Sequence, residues 1–186
     1  MSGRPAVFLD RDGTLNESFI GADGVPRPPA SLDEFALVDG AAEACRQLGA
    51  LGFLRIVVTN QPDVARGALP REVVESINRR LRDNVPLDDI RVCYHDDADA
   101  CECRKPKPGL LLTAAQEWGI DLASSFMVGD RWKDVEAGKL AGCTTILIDG
   151  QATGRLRSEP AIRVDSLASA VSWISEQVLR TAGGRR

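Results

Sequence analysis

Short apolar runs rich in β-branched residues alternate along this chain with longer segments that repeat apolar residues at helical spacing. A short apolar run bounded by turn residues is typical of a strand buried in a sheet, whereas apolar residues three and four positions apart predict an amphipathic helix. The predicted strands are Ala6–Asp10, Leu54–Thr59, Ile90–Tyr94, Phe126–Gly129 and Thr144–Asp149. The predicted helices are Ala41–Leu51, Pro70–Arg82, Gly109–Trp118, Lys133–Leu140 and Ser166–Leu179.

This alternation predicts an α/β fold, in which a doubly wound, Rossmann-like parallel sheet carries helices on both faces. A chain of 186 residues suffices for a substantial core, and we expect residues 1–186 to form a single domain. No insertion is long enough to fold as a separate cap domain. Residues 17–34 are rich in Gly and Pro and predict a loop or flap after the first strand, which either contacts substrate or is an inert insertion.

Two carboxylates follow the first predicted strand, in the sequence Asp10-Arg11-Asp12-Gly13-Thr14. Side chains two residues apart at the end of a strand point the same way. One carboxylate can attack a phosphorus atom while the other handles the proton, and together they can hold a hard cation such as Mg²⁺. Taken alone, the stretch equally fits a strand that ends in a polar turn.

Polar residues also follow the second and third predicted strands. Thr59, Asn60 and Gln61 end the second strand, where a hydroxyl and two amides can hydrogen-bond the phosphoryl oxygens of a substrate. After the third strand, two prolines delay the next helix and hold Arg104 and Lys105 on a short stiff loop, where they can bind an anion. Ordinary turn chemistry and a solvated basic loop are the alternatives for these two segments.

An acidic pair follows the fourth predicted strand, with Asp130 at the strand end and Asp134 about one helical turn later. Both carboxylates can reach one cation from the same side, although a helix cap with a salt bridge also accounts for the pair. Ligands of open α/β sheets bind at the carboxyl ends of the strands. Because Asp10, Thr59 and Asp130 all lie at such ends, we expect them to share one site.

Three cysteines and the only histidine of the chain form a second constellation, within residues 93–103. Three thiolates and one imidazole at this tight spacing are typical of tetrahedral Zn²⁺, and four protein ligands indicate a structural ion. Such a zinc loop would fix the basic residues that follow it. The alternative is two strand cysteines, an exposed cysteine pair and a surface histidine. The predicted ligands are Cys93, His95, Cys101 and Cys103.

The order of these motifs, each after a successive strand, resembles the haloacid dehalogenase superfamily over about residues 5–150. The resemblance implies a Mg²⁺-dependent phosphatase that forms an aspartyl-phosphate. It implies that Asp10 is the nucleophile, that Asp12 is the general acid and base, and that Thr59 and Lys105 hold the phosphoryl oxygens. Such residues fit phosphoryl transfer, which needs placement and charge neutralisation. The implied Mg²⁺ ligands are Asp10, the backbone carbonyl of Asp12, Asp130 and Asp134.

The zinc set and the basic loop after it are similar to two families of small capless phosphatases, which act on heptose 1,7-bisphosphate and on histidinol phosphate. The segments 59–67, TNQPDVARG, and 103–109, CRKPKPG, resemble the heptose family and imply that Arg104 and Arg131 contact substrate. The short spacer inside the zinc set resembles the histidinol-phosphate family instead. We therefore expect a sugar phosphate substrate, with the 7-phosphate of the heptose bisphosphate removed. Histidinol phosphate and a non-catalytic module that binds a phosphorylated ligand are the alternatives.

Composition and charge further limit the classes of binding partner that we expect for this protein. The net charge of −4, with no basic run except a short tail, argues against nucleic acid. No stretch approaches the roughly 20 apolar residues of a membrane span, and the first residues lack a signal pattern. Five cysteines, an odd number, do not suggest a disulfide framework. We expect a cytoplasmic monomer or small homo-oligomer that acts on a small phosphorylated metabolite.

Overall fold

A parallel sheet forms the centre of the molecule. The structure is a computed structural model that describes residues 3–21, 24–150 and 155–183. The strands in chain order are β1 (Ala6–Leu9), β2 (Phe19–Ile20), β3 (Pro26–Arg27), β4 (Leu54–Asn60), β5 (Asp89–Cys93), β6 (Phe126–Gly129), β7 (Thr144–Ile148) and β8 (Ile162–Val164). Six of them make the sheet, in the order β5-β4-β1-β6-β7-β8, and every pairing in it is parallel.

Helices connect the strands in the predicted places. They are α1 (Ala41–Ala50), α2 (Pro62–Ala65), α3 (Arg71–Asn84), α4 (Gly109–Trp118), α5 (Trp132–Ala141) and α6 (Leu167–Gly183). Each predicted strand and helix is present, and the largest difference is that α6 continues to Gly183. Within the described residues, no helix combines the length and the apolar character that crossing a membrane requires.

Alternate residues of β1 face opposite sides of the sheet, and each side has its own core. Val7 and Leu9 pack with apolar residues of α1 and α6 on one face. Ala6 and Phe8 pack with residues of α4 and α5 on the other face. The predicted doubly wound α/β architecture, with helices on both faces, is therefore confirmed.

Besides the four-residue helix α2, two features were not predicted from the sequence. The edge strand β8 escaped prediction because its three residues place Arg163 between two apolar ones, which is too short a run to recognise. The flap 17–34, predicted as a loop, contains the antiparallel hairpin of β2 and β3, although residues 22 and 23 lie outside the described part. This hairpin matters because it approaches the carboxyl end of the sheet, where the predicted site lies.

Candidate active site

A cavity of about 290 Å³ opens at the carboxyl ends of the central strands. Because β4, β1 and β6 are neighbours in the sheet, their last residues meet at this edge. The backbone N–H of Asp10 also donates to the carbonyl of Val128 in β6, at 2.9 Å, which fixes the main chain of Asp10 beside β6. The predicted residues that line the cavity are Asp10, Asp12, Thr59, Asn60, Arg104, Lys105, Arg131 and Asp134.

Lys105 joins the first carboxylate of the site to the last one. Its Nζ donates to Asp10 Oδ1 at 2.7 Å and to Asp134 Oδ1 at 2.6 Å, and all three side chains are buried. Burial raises the pKa of Asp10 to about 6, and Asp134 contributes in the same direction against the opposing charge of Lys105. The pKa of Lys105 is also raised, since its two carboxylate partners outweigh the effect of burial.

Asp130 completes a cluster of three buried carboxylates, two of which contact Lys105. One ligand oxygen from each of Asp10, Asp130 and Asp134 lies within 4.8 Å of the others. Asp130 Oδ1 is buried and has no hydrogen-bond partner among the described residues. Burial, followed by the charges of Asp10 and Asp134, raises the pKa of Asp130 to about 8. Hard oxygen donors with surplus negative charge and an unsatisfied buried atom fit a divalent cation such as Mg²⁺.

The local sequence allows the three carboxylates to lie this close together. Gly13 has a φ of +84°, a conformation that favours glycine, and a Cβ there would collide with the carboxylate of Asp130. Asp134 sits in the first turn of α5 and also accepts a bond from the backbone N–H of Arg131 at 3.0 Å. The helix-cap alternative for Asp134 is therefore realised together with its contact to Lys105.

The carboxylate of Asp12 is surrounded by nitrogen donors. Asn16 Nδ2 donates to Oδ1 at 3.0 Å, and Gln61 Nε2 donates to Oδ2 at 2.7 Å. Arg11 contacts both oxygens, with its Nε 3.1 Å from Oδ1 and its Nη2 3.1 Å from Oδ2. Gln61 also donates to Thr59 Oγ1 at 2.9 Å, so one amide connects the predicted acid to the predicted phosphoryl-binding hydroxyl.

The amides of Asn60 and Gln61 are both engaged with other parts of the site. Asn60 Nδ2 donates to the carbonyl of Lys105 at 2.9 Å, and its Oδ1 accepts from the N–H of Lys105 at 3.1 Å. Gln61 is fully buried and does not line the cavity, whereas Asn60 lines it. Contact of either amide with substrate stays a prediction, and the structure adds their contacts with Asp12 and Lys105.

The four predicted zinc ligands converge beside the cavity. All four donor atoms lie within 4.8 Å of one another. Cys103 Sγ lies 3.2 Å from both Cys93 Sγ and His95 Nδ1, and Cys93 Sγ lies 3.7 Å from Cys101 Sγ. A tetrahedron with bonds of about 2.0–2.3 Å to zinc has edges of roughly 3.5–3.8 Å, so the donors need to move only slightly to hold the ion. No cysteine of the described residues forms a disulfide.

The zinc loop continues directly into the walls of the cavity. Arg104 Nε donates to Asp97 Oδ1 at 2.7 Å, while its Nη1 is buried without a partner among the described residues. Arg66, at the end of α2, donates to both oxygens of Asp96, at 2.9 and 2.6 Å. Arg131 also lines the cavity, with its Nε 3.9 Å from Asp130 Oδ1.

Sequence reasoning missed several residues of the cavity wall. Arg27, Arg66 and Lys133 add three cations, and residues 25–28 of the flap, which include Arg27, also line the cavity. Burial, followed by the charge of Arg104, lowers the pKa of Lys133. Arg66 belongs to the segment 59–67 and could have been recognised there. Nothing in the sequence indicated that Lys133 lines the cavity, except its position two residues after Arg131.

Comparison with known proteins agrees with this geometry. A family model described as HAD-hydrolase-like matches residues 102–172. The D-glycero-β-D-manno-heptose-1,7-bisphosphate 7-phosphatase of Yersinia pestis is 41% identical over 153 residues, which are 76% of this chain and 78% of the relative. The chain belongs to the haloacid dehalogenase superfamily of phosphatases. The enzyme of the same name from Escherichia coli K12 is 39% identical over 76% of each chain.

A solved superfamily member supports the fold assignment as well. The D,D-heptose 1,7-bisphosphate phosphatase of B. bronchiseptica, complexed with magnesium and phosphate, superposes with a TM-score of 0.77 at 28% identity and covers 93% of this chain and 99% of its own. The predicted superfamily and phosphatase class are confirmed. The relatives do not favour histidinol phosphate as the substrate. Because these relatives are phosphatases, they also do not favour the alternative of a non-catalytic binding module.

Proposed function

We propose that this haloacid dehalogenase phosphatase removes the 7-phosphate from a heptose 1,7-bisphosphate, with Asp10 as its nucleophile. The observation that carries this proposal is the bridge from Lys105 Nζ to Asp10 and Asp134, which sets the nucleophile beside a cation and the acidic cluster in one cavity. The heptose as substrate is supported by relatives about 40% identical that carry that name.

The two carboxylates of the motif would divide the chemistry. An Asp10 oxygen attacks the phosphorus, the ester P–O bond breaks, and the departing oxygen takes a proton from Asp12 to give the alcohol. Asp12, now a carboxylate, then takes a proton from water, whose oxygen attacks the phosphorus. The bond from phosphorus to Asp10 breaks, so that inorganic phosphate leaves and both carboxyl groups return to their starting state.

Lys105 and Thr59 would hold the transferring group during both steps. The Nζ of Lys105 carries its charge 2.7 Å from Asp10 Oδ1 in the cavity lining, and Thr59 lines the cavity near the end of β4. Charges and donors fixed before the reaction are worth most in a site that excludes water. Lys105 is only 2% exposed, so its charge would act with little screening.

Mg²⁺ is the cofactor that this site would hold. Asp10, Asp130, Asp134 and the backbone carbonyl of Asp12 would be its ligands, which the unsatisfied buried oxygen of Asp130 supports. Bound there, the ion would offset the repulsion between Asp10 and a phosphate dianion. Asp134 would bind it directly or through a water molecule.

Zn²⁺ is the second cofactor we propose, held by Cys93, His95, Cys101 and Cys103. The ion would be structural, because protein atoms fill all four positions. The backbone N–H of Gln61 donates to the carbonyl of Cys93 at 2.7 Å, so the cluster supports both sides of the cavity. Thiols that must stay reduced to bind the ion also support the proposed cytoplasmic location.

The number of cations that line the cavity favours a substrate with more than one anionic group. Arg66, Arg104, Arg131 and Lys133 line the cavity in addition to Lys105. Lys105 already faces the nucleophile and would bind the phosphoryl group that is transferred. The outer cations would then bind a second phosphate, which favours a sugar bisphosphate over a monophosphate.

A substrate panel tests the proposed function. Purified protein with Mg²⁺ would be assayed for phosphate release from heptose 1,7-bisphosphate, heptose 7-phosphate and histidinol phosphate. We expect the highest kcat/KM for the bisphosphate, with ³¹P spectra that show loss of the 7-phosphate alone. A tenfold preference for histidinol phosphate, or no release from any of the three, would contradict the proposal.

A further inference from the structure

Arg11 is the one residue of the motif Asp10-Arg11-Asp12 to which the proposed mechanism gives no part. It lies between the proposed nucleophile and the proposed acid in the sequence, and its side chain is completely buried. Burying a guanidinium is costly unless the charge is paired and its donors are satisfied. The pairing here is specific: the carboxylate of Asp12 takes two of the donor nitrogens, and Asn78 Oδ1 of α3 accepts from Nη1 at 2.8 Å.

The contacts give Arg11 control over the direction of the Asp12 carboxylate. A guanidinium is a rigid planar fork that matches both oxygens of a carboxylate, whereas single donors leave the group free to pivot. Asn16 and Gln61 each bond one oxygen of Asp12, whereas Arg11, alone among the described residues, contacts both oxygens. Asn78, which lies in α3 and 67 residues later in the sequence, holds the guanidinium of Arg11 in turn by accepting a hydrogen bond from it.

We propose that Arg11, braced by Asn78, is a positioning residue for proton transfer by Asp12. The inference rests on the proposed function, in which Asp12 protonates the departing oxygen. Lys105, Thr59 and the carboxylate cluster bind the phosphoryl group without any contact to Arg11 or Asn78 that the structure records. A loosened Arg11 would therefore impair protonation of the leaving group more than binding or attack.

Leaving-group dependence separates this role from a merely structural one. An alkyl phosphate needs a proton on its departing oxygen, whereas p-nitrophenyl phosphate releases a stable anion without one. The kcat/KM of each substrate reports the steps up to the aspartyl-phosphate, so the ratio of the two values measures the contribution of the acid. A general loss of structure would lower both values alike.

Asn78 is the better position for substitution, because it is half-buried and lies outside the cavity. Asn78→Leu keeps the approximate volume and removes the acceptor, and Asn78→Asp keeps an acceptor for Arg11. Asn84→Leu, on an exposed turn of the same helix, is the matched control. Asp12→Asn supplies the full effect of losing the acid, about 10²–10⁴-fold for a poor leaving group.

With glycerol 2-phosphate as the alkyl substrate, we expect Asn78→Leu to lower kcat/KM about tenfold, and to change the value for p-nitrophenyl phosphate less than about twofold. Asn78→Asp should stay near the unsubstituted protein with both substrates, and Arg11→Lys should show the same selective loss if it folds. Equal losses on both substrates, or no loss with Asn78→Leu, would overturn the inference. An unsubstituted protein that releases no phosphate from heptose 1,7-bisphosphate would instead contradict the proposed function itself, and with it this role for Arg11.

Discussion

Asn60 holds the backbone of Lys105 at both its N–H and its carbonyl oxygen, with bonds of 3.1 and 2.9 Å. The contact joins the end of β4 to the loop that follows the zinc cluster, 45 residues later in the sequence. It places the main chain of Lys105 independently of what the side chain does. The lysine therefore reaches Asp10 from a fixed point, and its position does not depend on substrate.

Replacement of Asn60 tests this relationship. Asn60→Ala removes both bonds and should lower kcat about 10- to 100-fold, since a hydrogen bond contributes about 1 kcal/mol and 1.4 kcal/mol is a factor of ten. A reduced kcat with a KM changed less than about threefold indicates misplacement of Lys105. A rise in KM with an unchanged kcat would mean that Asn60 binds substrate instead, as the sequence analysis expected.

The proposed role of Asp10 as nucleophile predicts a covalent intermediate. Asp10→Asn should abolish phosphate release to the detection limit, because an amide oxygen is a poor nucleophile and cannot form the acyl phosphate. Rapid quenching of the unsubstituted protein with ³²P-labelled substrate should trap label on the protein. Asp33→Asn, at an exposed position away from the cavity, should retain full activity and labelling. Labelling of Asp10→Asn equal to that of the unsubstituted protein would assign the nucleophile elsewhere.

The periodic part of the fold and the ends of the central strands could be predicted from the sequence. Asp10, Thr59 and Asp130 follow apolar runs in a chain that alternates strands and helices, and the carboxyl ends of parallel strands meet at one edge. The convergence of Cys93, His95, Cys101 and Cys103 could be predicted as well, because they lie within eleven residues and their chemistry is distinctive.

Features that depend on long-range contacts escaped prediction. The bond between Arg11 and Asn78 joins the loop after β1 to a helix that carries no motif, and nothing local marks either residue as a partner of the other. Lys133 lies on a short helix whose pattern gives only its amphipathic face, so its direction towards the cavity depends on how α5 packs on the sheet. Secondary-structure propensity and residue spacing do not determine such contacts between distant parts of the chain.

Loss of one zinc ligand should weaken both the fold and the turnover. Metal analysis should find close to one zinc per chain, and Cys101→Ser should lower this content and the Tm, because binding of a structural zinc contributes about 10–16 kcal/mol to folding in small domains. Turnover should fall as well, since Arg104 and Lys105 directly follow the cluster. Cys143→Ala, in the second core, should keep its zinc. Unchanged stability and turnover in Cys101→Ser would contradict the link between cluster and loop.

Lys133 provides a test for the second phosphate of the substrate. The side chain lines the cavity and has no carboxylate partner within 4.0 Å among the described residues, while burial and Arg104 lower its pKa. Lys133→Ala should raise KM for the heptose bisphosphate about tenfold and leave KM for a heptose 7-phosphate within about twofold, since a charge-assisted bond contributes about 1.5–3 kcal/mol. Lys139→Ala, at the exposed end of the same helix, is the control for a change of net charge alone. Equal effects on both substrates would show that Lys133 does not bind the second phosphate, and would shift that role to Arg104 and Arg131 on the remaining walls.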